Sequence, residues 1–279
     1  MTLTGGGVLE VGFHDIVFST SGGIATIAIN RPEKKNALRI KTFEEIVLAL
    51  EACAADDQIG VVVITGTGNR VFCAGGDLEM ALRDLNSQAA MRAHHFDRML
   101  RISTLIVQLD KPVVCAVNGI CIGGAAEIAC FCDLVVASDN ASFSFNGTKI
   151  GGCSWWGAPQ ILPLQVGAKR AQEILLLARP VGAAEAERIG LVNRTVPAAE
   201  FRAEVDRLCQ ELLDLSPAGL SATKATLRQV FEVFFASIPL AAEMNAAIQM
   251  GPQARAAFDA FVAKRPLSWR DVRPAPGGE

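Results

Sequence analysis

Two glycine-rich turns each follow an apolar run. Cys73-Ala74-Gly75-Gly76-Asp77 comes after Val61–Thr65, and Asn118-Gly119-Ile120-Cys121-Ile122-Gly123-Gly124 comes after Val113–Val117. In an open α/β sheet, ligands collect beyond the carboxyl ends of the strands. Glycine there lets the backbone approach a ligand closely with its N–H groups free to point at it. Two such amides converging on one oxygen would form an oxyanion hole, and a helix starting at Gly123 would add the positive end of its dipole. The alternative is a pair of tight turns. Glu127 stands out among the carboxylates, three residues after Gly124 in the apolar stretch Ala125-Ala126-Glu127-Ile128-Ala129. One helical turn would bring it to the same cavity, where desolvation raises a carboxyl group's proton affinity towards a value useful for acid or base work. A carboxylate that only complements the helix N-terminus is the competing account. Asp77 and Asp133 read as residues that cap or pin turns. Neither glycine turn has the Gly-Lys-Ser/Thr or Gly-x-Gly-x-x-Gly pattern of a phosphate-binding loop.

The elements that must hold these residues follow from the apolar pattern. Ile24–Ile29 alternates as a strand, and Ile40, Phe43, Ile46, Val47 and Leu50 recur at helical spacing within Arg39–Ala54. Val61–Thr65, Val113–Val117 and Leu134–Ala137 are continuous apolar strands, with a helix of about two turns predicted over Gly123–Cys130. Such strands alternating with helices predict an α/β architecture, its largely parallel sheet covered on both faces. From Ala168 onwards the pattern predicts a helical layer, with stretches near 168–178, 183–189, 198–214, 217–235 and 238–264 and no long strand. Its apolar positions, Phe231, Phe234 and Phe235 among them, suit covering a sheet, a neighbouring subunit, or both. No internal repeat is visible. The polar stretch Leu78–Phe96 follows a glycine pair and is expected to be mobile near a binding site. The predicted organisation is a flexible lead-in over 1–15, a core over 16–197, a C-terminal helical region over 198–270 and a disordered tail over 271–279.

Composition narrows the function classes. The chain has 279 residues, and 26 Lys+Arg against 29 Asp+Glu give a net charge of −3, so no nucleic-acid partner is expected. Half of the residues are apolar, enough for one large domain. Eight cysteines without a Cys-x-x-Cys pair read as buried thiols in a reducing, cytoplasmic setting, and three histidines are too few and too poorly spaced to build a zinc site with them. No metal is predicted. Asn118, Glu127 and Asp133 interrupt the most apolar segment, 113–137, so a soluble protein with no membrane partner is expected. Tyrosine is absent, which excludes any mechanism that needs a phenol from this chain.

The segments Ile29-Asn30-Arg31-Pro32-Glu33-Lys34-Lys35-Asn36-Ala37-Leu38, Phe72-Cys73-Ala74-Gly75-Gly76-Asp77-Leu78 and Asn118-Gly119 with Gly123-Gly124 and Glu127, followed by Cys132-Asp133-Leu134, closely resemble the enoyl-CoA hydratase/isomerase (crotonase) family. Gly190-Leu191-Val192-Asn193 and Phe261-Val262-Ala263-Lys264-Arg265 extend the resemblance, which covers about residues 16–270 in order. It implies a crotonase fold, a spiral core of repeated β-β-α units, in a homotrimer or homohexamer. It also implies acyl-CoA thioester substrates, with coenzyme A arriving as part of the substrate and no permanently bound cofactor. By resemblance, the amides of Gly76 and Gly124 hold the thioester carbonyl oxygen and stabilise an enolate, and Glu127 matches the first of two catalytic glutamates of the hydratases. The segment with Lys34, Lys35 and Ala37 resembles the part that borders the coenzyme, and Ala74 and Asp77 are assigned to the same surface. Lys264 matches a C-terminal lysine that reaches phosphate, often across a subunit interface; a solvated helix-end cation is the alternative.

The sequence also departs from that family. In hydratases a Pro-Glu pair follows the strand corresponding to Ala141–Phe145 and supplies the second acid/base; here those positions are Asn146 and Gly147. Glycine transfers no proton, which weakens both the two-glutamate hydratase and the simple isomerase. The run Asn146–Gly151 followed by Trp156-Gly157-Ala158 resembles the branch of 1,4-dihydroxy-2-naphthoyl-CoA synthase and ketocyclohexanecarboxyl-CoA hydrolases, which tends to have glycine at the position of Gly147. Against that branch, Gly152–Trp156 is one residue short, Ser154 stands near the position of an aspartate, Glu127 is unlike the synthase pattern and the tyrosine is missing. The resemblance implies addition or removal of water with Glu127 as the surviving acid/base. The alternatives are C–C bond formation or ring opening on a cyclic or β-keto acyl-CoA, with Asn146, Ser154 or a bound water or anion replacing the glutamate, and a catalytically weakened acyl-CoA-binding scaffold. Trp155 and Trp156 either wall a ring-shaped acyl pocket or anchor the core or an interface. On this reading Gly147→Glu restores the second carboxylate and raises hydration, provided the backbone tolerates a side chain.

Overall fold

The computed structural model describes residues 12–77 and 96–269. Most of the stretch predicted to be mobile, 78–95, therefore lies outside the described residues, as do the first eleven residues and the tail from 270. The described chain forms two sheets. In the larger, the antiparallel pair β1 (Ile16–Ser21) and β2 (Ile24–Ile29) continues into parallel β3 (Val61–Gly66), β5 (Val113–Val117), β7 (Leu134–Ser138) and β10 (Arg194–Val196), in the order β1-β2-β3-β5-β7-β10. The smaller has the order β4 (Val71–Cys73), β6 (Ile120–Ile122), β8 (Ser142–Ser144) and β9 (Val181–Gly182), parallel except for β9. Helix α1 (Ile40–Ala55) joins β2 to β3. The chain steps from the large sheet to the small one three times, at β3–β4, β5–β6 and β7–β8, and α2 (Asp97–Gln108) and α3 (Gly124–Phe131) carry it back. The repeated β-β-α unit is thus structural; different residues fill equivalent places in each turn, which is why no sequence repeat is visible.

The continuous apolar strands are covered on both faces, as their pattern predicts. Alternate residues serve opposite sides. Val62, Ile64, Cys115 and Val135 pack into the main core with Phe43, Ile46 and Leu50 of α1 and Ile102 and Ile106 of α2. Val61, Val63, Val114 and Val136 face a second cluster built by Val205, Leu208, Cys209 and Leu212 of α7 (Phe201–Leu213). Each fully buried side chain of this kind contributes about 1.5–3 kcal/mol by leaving water. All eight cysteines are unbonded thiols, seven buried and Cys153 half-buried.

The C-terminal layer holds the predicted helices with one correction, the division of 238–264. Between α4 (Ala158–Val166), α5 (Ala168–Leu177), α6 (Ala183–Arg188) and α7, the short strands β9 and β10 complete the two sheets; runs this short leave no periodic signal. The predicted single helix 238–264 is two, α9 (Ile238–Gln249) and α10 (Pro252–Val262), because Gly251 is extended and Pro252 starts a new helix without needing an N–H partner. Asp15, the last residue of the predicted lead-in, is buried, and its carboxylate accepts hydrogen bonds from Arg39 and Thr42. In α8 (Pro217–Phe235), Phe231 and Phe235 pack on the core, while the side chain of Phe234 lies outside those described. Val230, Val233, Leu240 and Met244 of α8 and α9 are exposed. Among the described residues no single helix is long and apolar enough to cross a membrane.

Candidate active site

Because β4 and β6 are neighbours in the small sheet, the loops that leave their carboxyl ends meet. They meet at glycines. Gly75 (φ +87°) and Gly123 (φ +59°) both sit where other residues are strained, and a Cβ on Gly75 would lie 2.8 Å from the Ile122 carbonyl oxygen and 3.7 Å from Gly123 Cα. This contact brings the next residue of each loop, Gly76 and Gly124, to one cavity of about 160 Å³. Leu38 donates to Gly75 O (2.7 Å) and accepts from Asp77 N (2.7 Å), so it engages the residues on either side of Gly76 and leaves the Gly76 N–H without an acceptor among the described residues. Gly124 is the first residue of α3. The N–H of Gly123 is taken by Ser144 O (2.7 Å) and that of Glu127 by Gly123 O (3.1 Å), which leaves Gly124 N–H among the unpaired donors of the helix start.

The Gly76 loop is held from behind by buried charge. Arg31, 7% exposed, donates to Ala37 O (2.5 Å) and Asp77 Oδ2 (3.0 Å), and its Nε lies 3.8 Å from Asp15 Oδ2. Burial pushes the Asp15 carboxyl up, but hydrogen bonds from Arg39 and Thr42 and the charges of Arg39 and Arg31 outweigh it and hold it below the ordinary aspartate range. Asn36 Nδ2 ties the β3–β4 connection by donating to the carbonyls of Thr67, Val71 and Phe72. Asp77 is therefore a loop anchor that also lines the cavity. Asp133 pins a turn, accepting from Val113 N (2.7 Å) and Lys224 Nζ (2.5 Å).

Glu127 lies in the first turn of α3, is 4% exposed, and lines the same cavity as Gly76 and Gly124. Burial pushes its pKa up to about 8, against hydrogen bonds from the backbone N–H groups of Ala158, Trp156 and Trp155. At neutral pH it is mostly a carboxylic acid with a proton to give. The two tryptophans separate. Trp155 lines the cavity and packs on Phe96 with ring centroids 4.4 Å apart. Trp156 is fully buried beneath Gly124, meets Phe43 edge-on and donates from Nε1 to Ser103 Oγ (3.3 Å); it supports the floor rather than lining the cavity.

Asn146, Gly147 and Ser154 also line the cavity. A Cβ on Gly147, which opens the 3₁₀ turn Gly147–Ile150, would lie 2.3 Å from Cys153 C and 2.4 Å from Ser154 N. Backbone fills the space a side chain would need, so the expectation that Gly147→Glu restores a second carboxylate is overturned on steric grounds. Among the described lining residues the carboxylates are Glu127 and Asp77. The remaining expected contacts with coenzyme lie apart. Ala74 lines the cavity, whereas Lys35 lines a neighbouring depression with Arg70. Lys34 is exposed on the 3₁₀ turn Pro32–Lys34, Ala37 is buried, and Lys264 is exposed just past α10. Sequence reasoning missed Asn245 and Gln249 of α9 and Phe258 of α10, which close the cavity from the C-terminal layer. Asn245 does leave a signal, as a polar residue flanked by apolar ones in Ala241-Ala242-Glu243-Met244-Asn245-Ala246-Ala247-Ile248.

Proline at Gly124 suits the first position of a helix but removes the N–H. Gly124→Pro should therefore keep the helical circular-dichroism signal while lowering turnover by about 10²–10³-fold, the usual effect of deleting one oxyanion donor. Unchanged kinetics in folded protein would remove Gly124 from the oxyanion site.

The family model for enoyl-CoA hydratase/isomerase matches residues 19–273. An enoyl-CoA hydratase/isomerase from Xanthobacter autotrophicus Py2 superposes with a TM-score of 0.82 at 31% identity, covering 94% of this chain and 100% of that one. An enoyl-CoA hydratase from Mycobacterium avium subsp. paratuberculosis K-10 gives 0.81 at 30% identity, covering 88% and 98%.

Proposed function

Since this chain belongs to the enoyl-CoA hydratase/isomerase family and has its crotonase fold, we propose that it transforms acyl-CoA thioesters through an enolate held by the Gly76 and Gly124 amides, with Glu127 moving the proton. The observation that carries this is the contact of the Gly75 and Gly123 loops, which sets two unpaired N–H groups and a buried carboxyl group around one cavity. Each amide strengthens its hydrogen bond as charge develops on the thioester oxygen, worth about 3 kcal/mol per donor.

The leading reaction is addition or removal of water on a 2-enoyl-CoA. One carboxyl group suffices for the balance if it starts protonated. Water attacks Cβ and gives a proton to one Glu127 oxygen as the other delivers its proton to Cα, and the acid form is regenerated. Burial supplies that starting state, with the pKa at about 8. The closed space at Gly147 favours a second reading, C–C bond formation or cleavage on a cyclic or β-keto acyl-CoA, because no second carboxylate is available there to activate water. A product-resolved mass-spectrometric screen of linear enoyl-CoA, β-keto-CoA and cyclic acyl-CoA thioesters separates them. Gain of water without C–C cleavage supports the first and cleavage or condensation the second, while binding without turnover leaves an acyl-CoA-binding scaffold.

The coenzyme is proposed to cross Ala74 and Asp77 towards Lys34, Lys35 and Ala37, with Lys264 a phosphate partner within or between subunits. A homotrimer or homohexamer would cover the exposed Val230, Val233, Leu240 and Met244. Light scattering at micromolar concentration should report three or six copies; a lone monomer sinks this part of the proposal. A cytoplasmic location is proposed from the eight unbonded thiols.

A further inference from the structure

Ala254 and Phe258 stand one turn apart on α10, so both project from the same face of the helix, and both are buried. Ala254 docks this face on the cavity wall. A Cβ on Gly151, whose φ is +74°, would lie 2.8 Å from Ala254 Cα and 3.0 Å from Ala254 N, so backbone meets backbone with no side chain able to swing aside. The next two residues fasten the same wall to α9: a Cβ on Gly152 would lie 2.9 Å from Asn245 Oδ1, which accepts from Cys153 N–H at 3.0 Å. Three successive residues thus close the seam between the wall and the helical layer, and one turn along α10 Phe258 lines the cavity itself.

We infer that Phe258 is the end stop for the acyl chain, and that the site takes acyl groups of up to about six carbons. This rests on the reading of the cavity as an acyl-CoA site. Glu127 acts on the carbons next to the thioester carbonyl, so the acyl group runs from the Gly76 and Gly124 amides past Glu127. That carboxyl group accepts from Ala158 N–H at 3.3 Å, which holds it against the segment carrying Trp155. With Ala74 and Asp77 on the coenzyme side, the walls left for the chain are Trp155, braced by Phe96, then Cys153, Ser154 and Phe258. The whole cavity of about 160 Å³ has the size that one benzene ring occupies. A longer chain must displace the Phe258 ring or part α10 from Gly151, and both are closely packed.

Isothermal titration of the full-length protein with the saturated series from butanoyl-CoA to decanoyl-CoA tests this by binding alone. Affinity should rise about three- to fourfold per methylene as far as about hexanoyl-CoA and then level off or fall. In Phe258→Ala that break should move out by about two to four carbons, raising the affinity of decanoyl-CoA relative to hexanoyl-CoA by about 10–100-fold. Phe258→Trp should move it to shorter chains. Should the alanine variant fail to fold, Phe258→Leu makes a smaller step in the same direction. A residue that only braced α10 would weaken every thioester alike in all variants and leave the break where it stands, which would overturn the inference. A wild-type affinity that climbs steadily to decanoyl-CoA overturns it too, since the chain then leaves the cavity by another way, without harm to the acyl-CoA reading. Failure of every thioester to bind overturns both.

Discussion

Glu127→Gln should lower turnover of the best substrate by about 10²–10⁴-fold, the usual contribution of a positioned proton donor. Affinity for the thioester should hardly change, because glutamine keeps the size and the acceptor oxygen that Ala158 N–H engages at 3.3 Å. The pH profile then tells which form of Glu127 works. If the acid form starts the reaction, kcat/KM of the wild type should fall as pH rises through about 8; a limb that rises there would assign the carboxylate as a base and favour proton abstraction from carbon. The same shift has a sign for stability. A carboxyl group whose pKa rises from 4.5 unfolded to about 8 folded binds its proton more tightly in the native state. Its stabilising contribution is complete below about pH 4.5 and is lost as pH rises through 8. Glutamine does not titrate, so Glu127→Gln should gain stability relative to wild type between pH 5 and 9, by about 2–4 kcal/mol. Urea melts at the two pH values measure this. A stable variant with intact turnover leaves Glu127 a mere helix-end partner and moves the chemistry to Asn146, Ser154 or another group.

What could be read from the chain follows from how local each feature is. The second glycine turn and Glu127 sit in one strand–turn–helix unit, β5 to α3, of fewer than thirty residues, and the first glycine turn directly follows β4, so apolar runs, glycine pairs and one misplaced carboxylate point to the cavity. The floor and lid were less visible. Trp155 and Trp156 are adjacent and alike in sequence, but only packing sends Trp155 to the cavity and Trp156 under Gly124. Asn245 lies 118 positions beyond Glu127 in the numbering of the chain, and no spacing rule connects a helix of the C-terminal layer to a loop of the core. The buried Asp15–Arg31–Asp77 chain was hidden for the same reason, since its members come from the expected lead-in, the end of β2 and the β4 loop. Short strands β9 and β10 are defined by pairing with β8 and β7, a property of their partners more than of their own residues.

Gly147 shows where resemblance misleads about chemistry that geometry can decide. From the sequence alone, Gly147→Glu looks like the repair of a two-glutamate site. The structure predicts the opposite, because the first atom of any side chain would lie 2.3 Å from Cys153 C and 2.4 Å from Ser154 N, and both obstacles are backbone. Its φ is not in the left-handed region, so the conflict is one of space rather than of torsion. Even Gly147→Ala should therefore force the Cys153–Ser154 segment to move, disturbing the hydrogen bond from Cys153 N–H to Asn245 and the Trp155 wall. Overpacking against backbone of this severity costs about 3 kcal/mol or more, which for a chain of this size lowers Tm by about 6–12 °C. Gly147→Glu should be at least as destabilised, and enoyl-CoA hydration should fall with it. Thermal melts and hydration rates on Gly147→Ala and Gly147→Glu, side by side, distinguish the outcomes. A glutamate variant with wild-type Tm and raised hydration would show that the Cys153–Ser154 segment yields readily, and that the site lacks only a carboxylate to be a two-acid hydratase. A variant that melts early and hydrates more slowly makes the closed wall at Gly147 a determinant of which reaction the site performs.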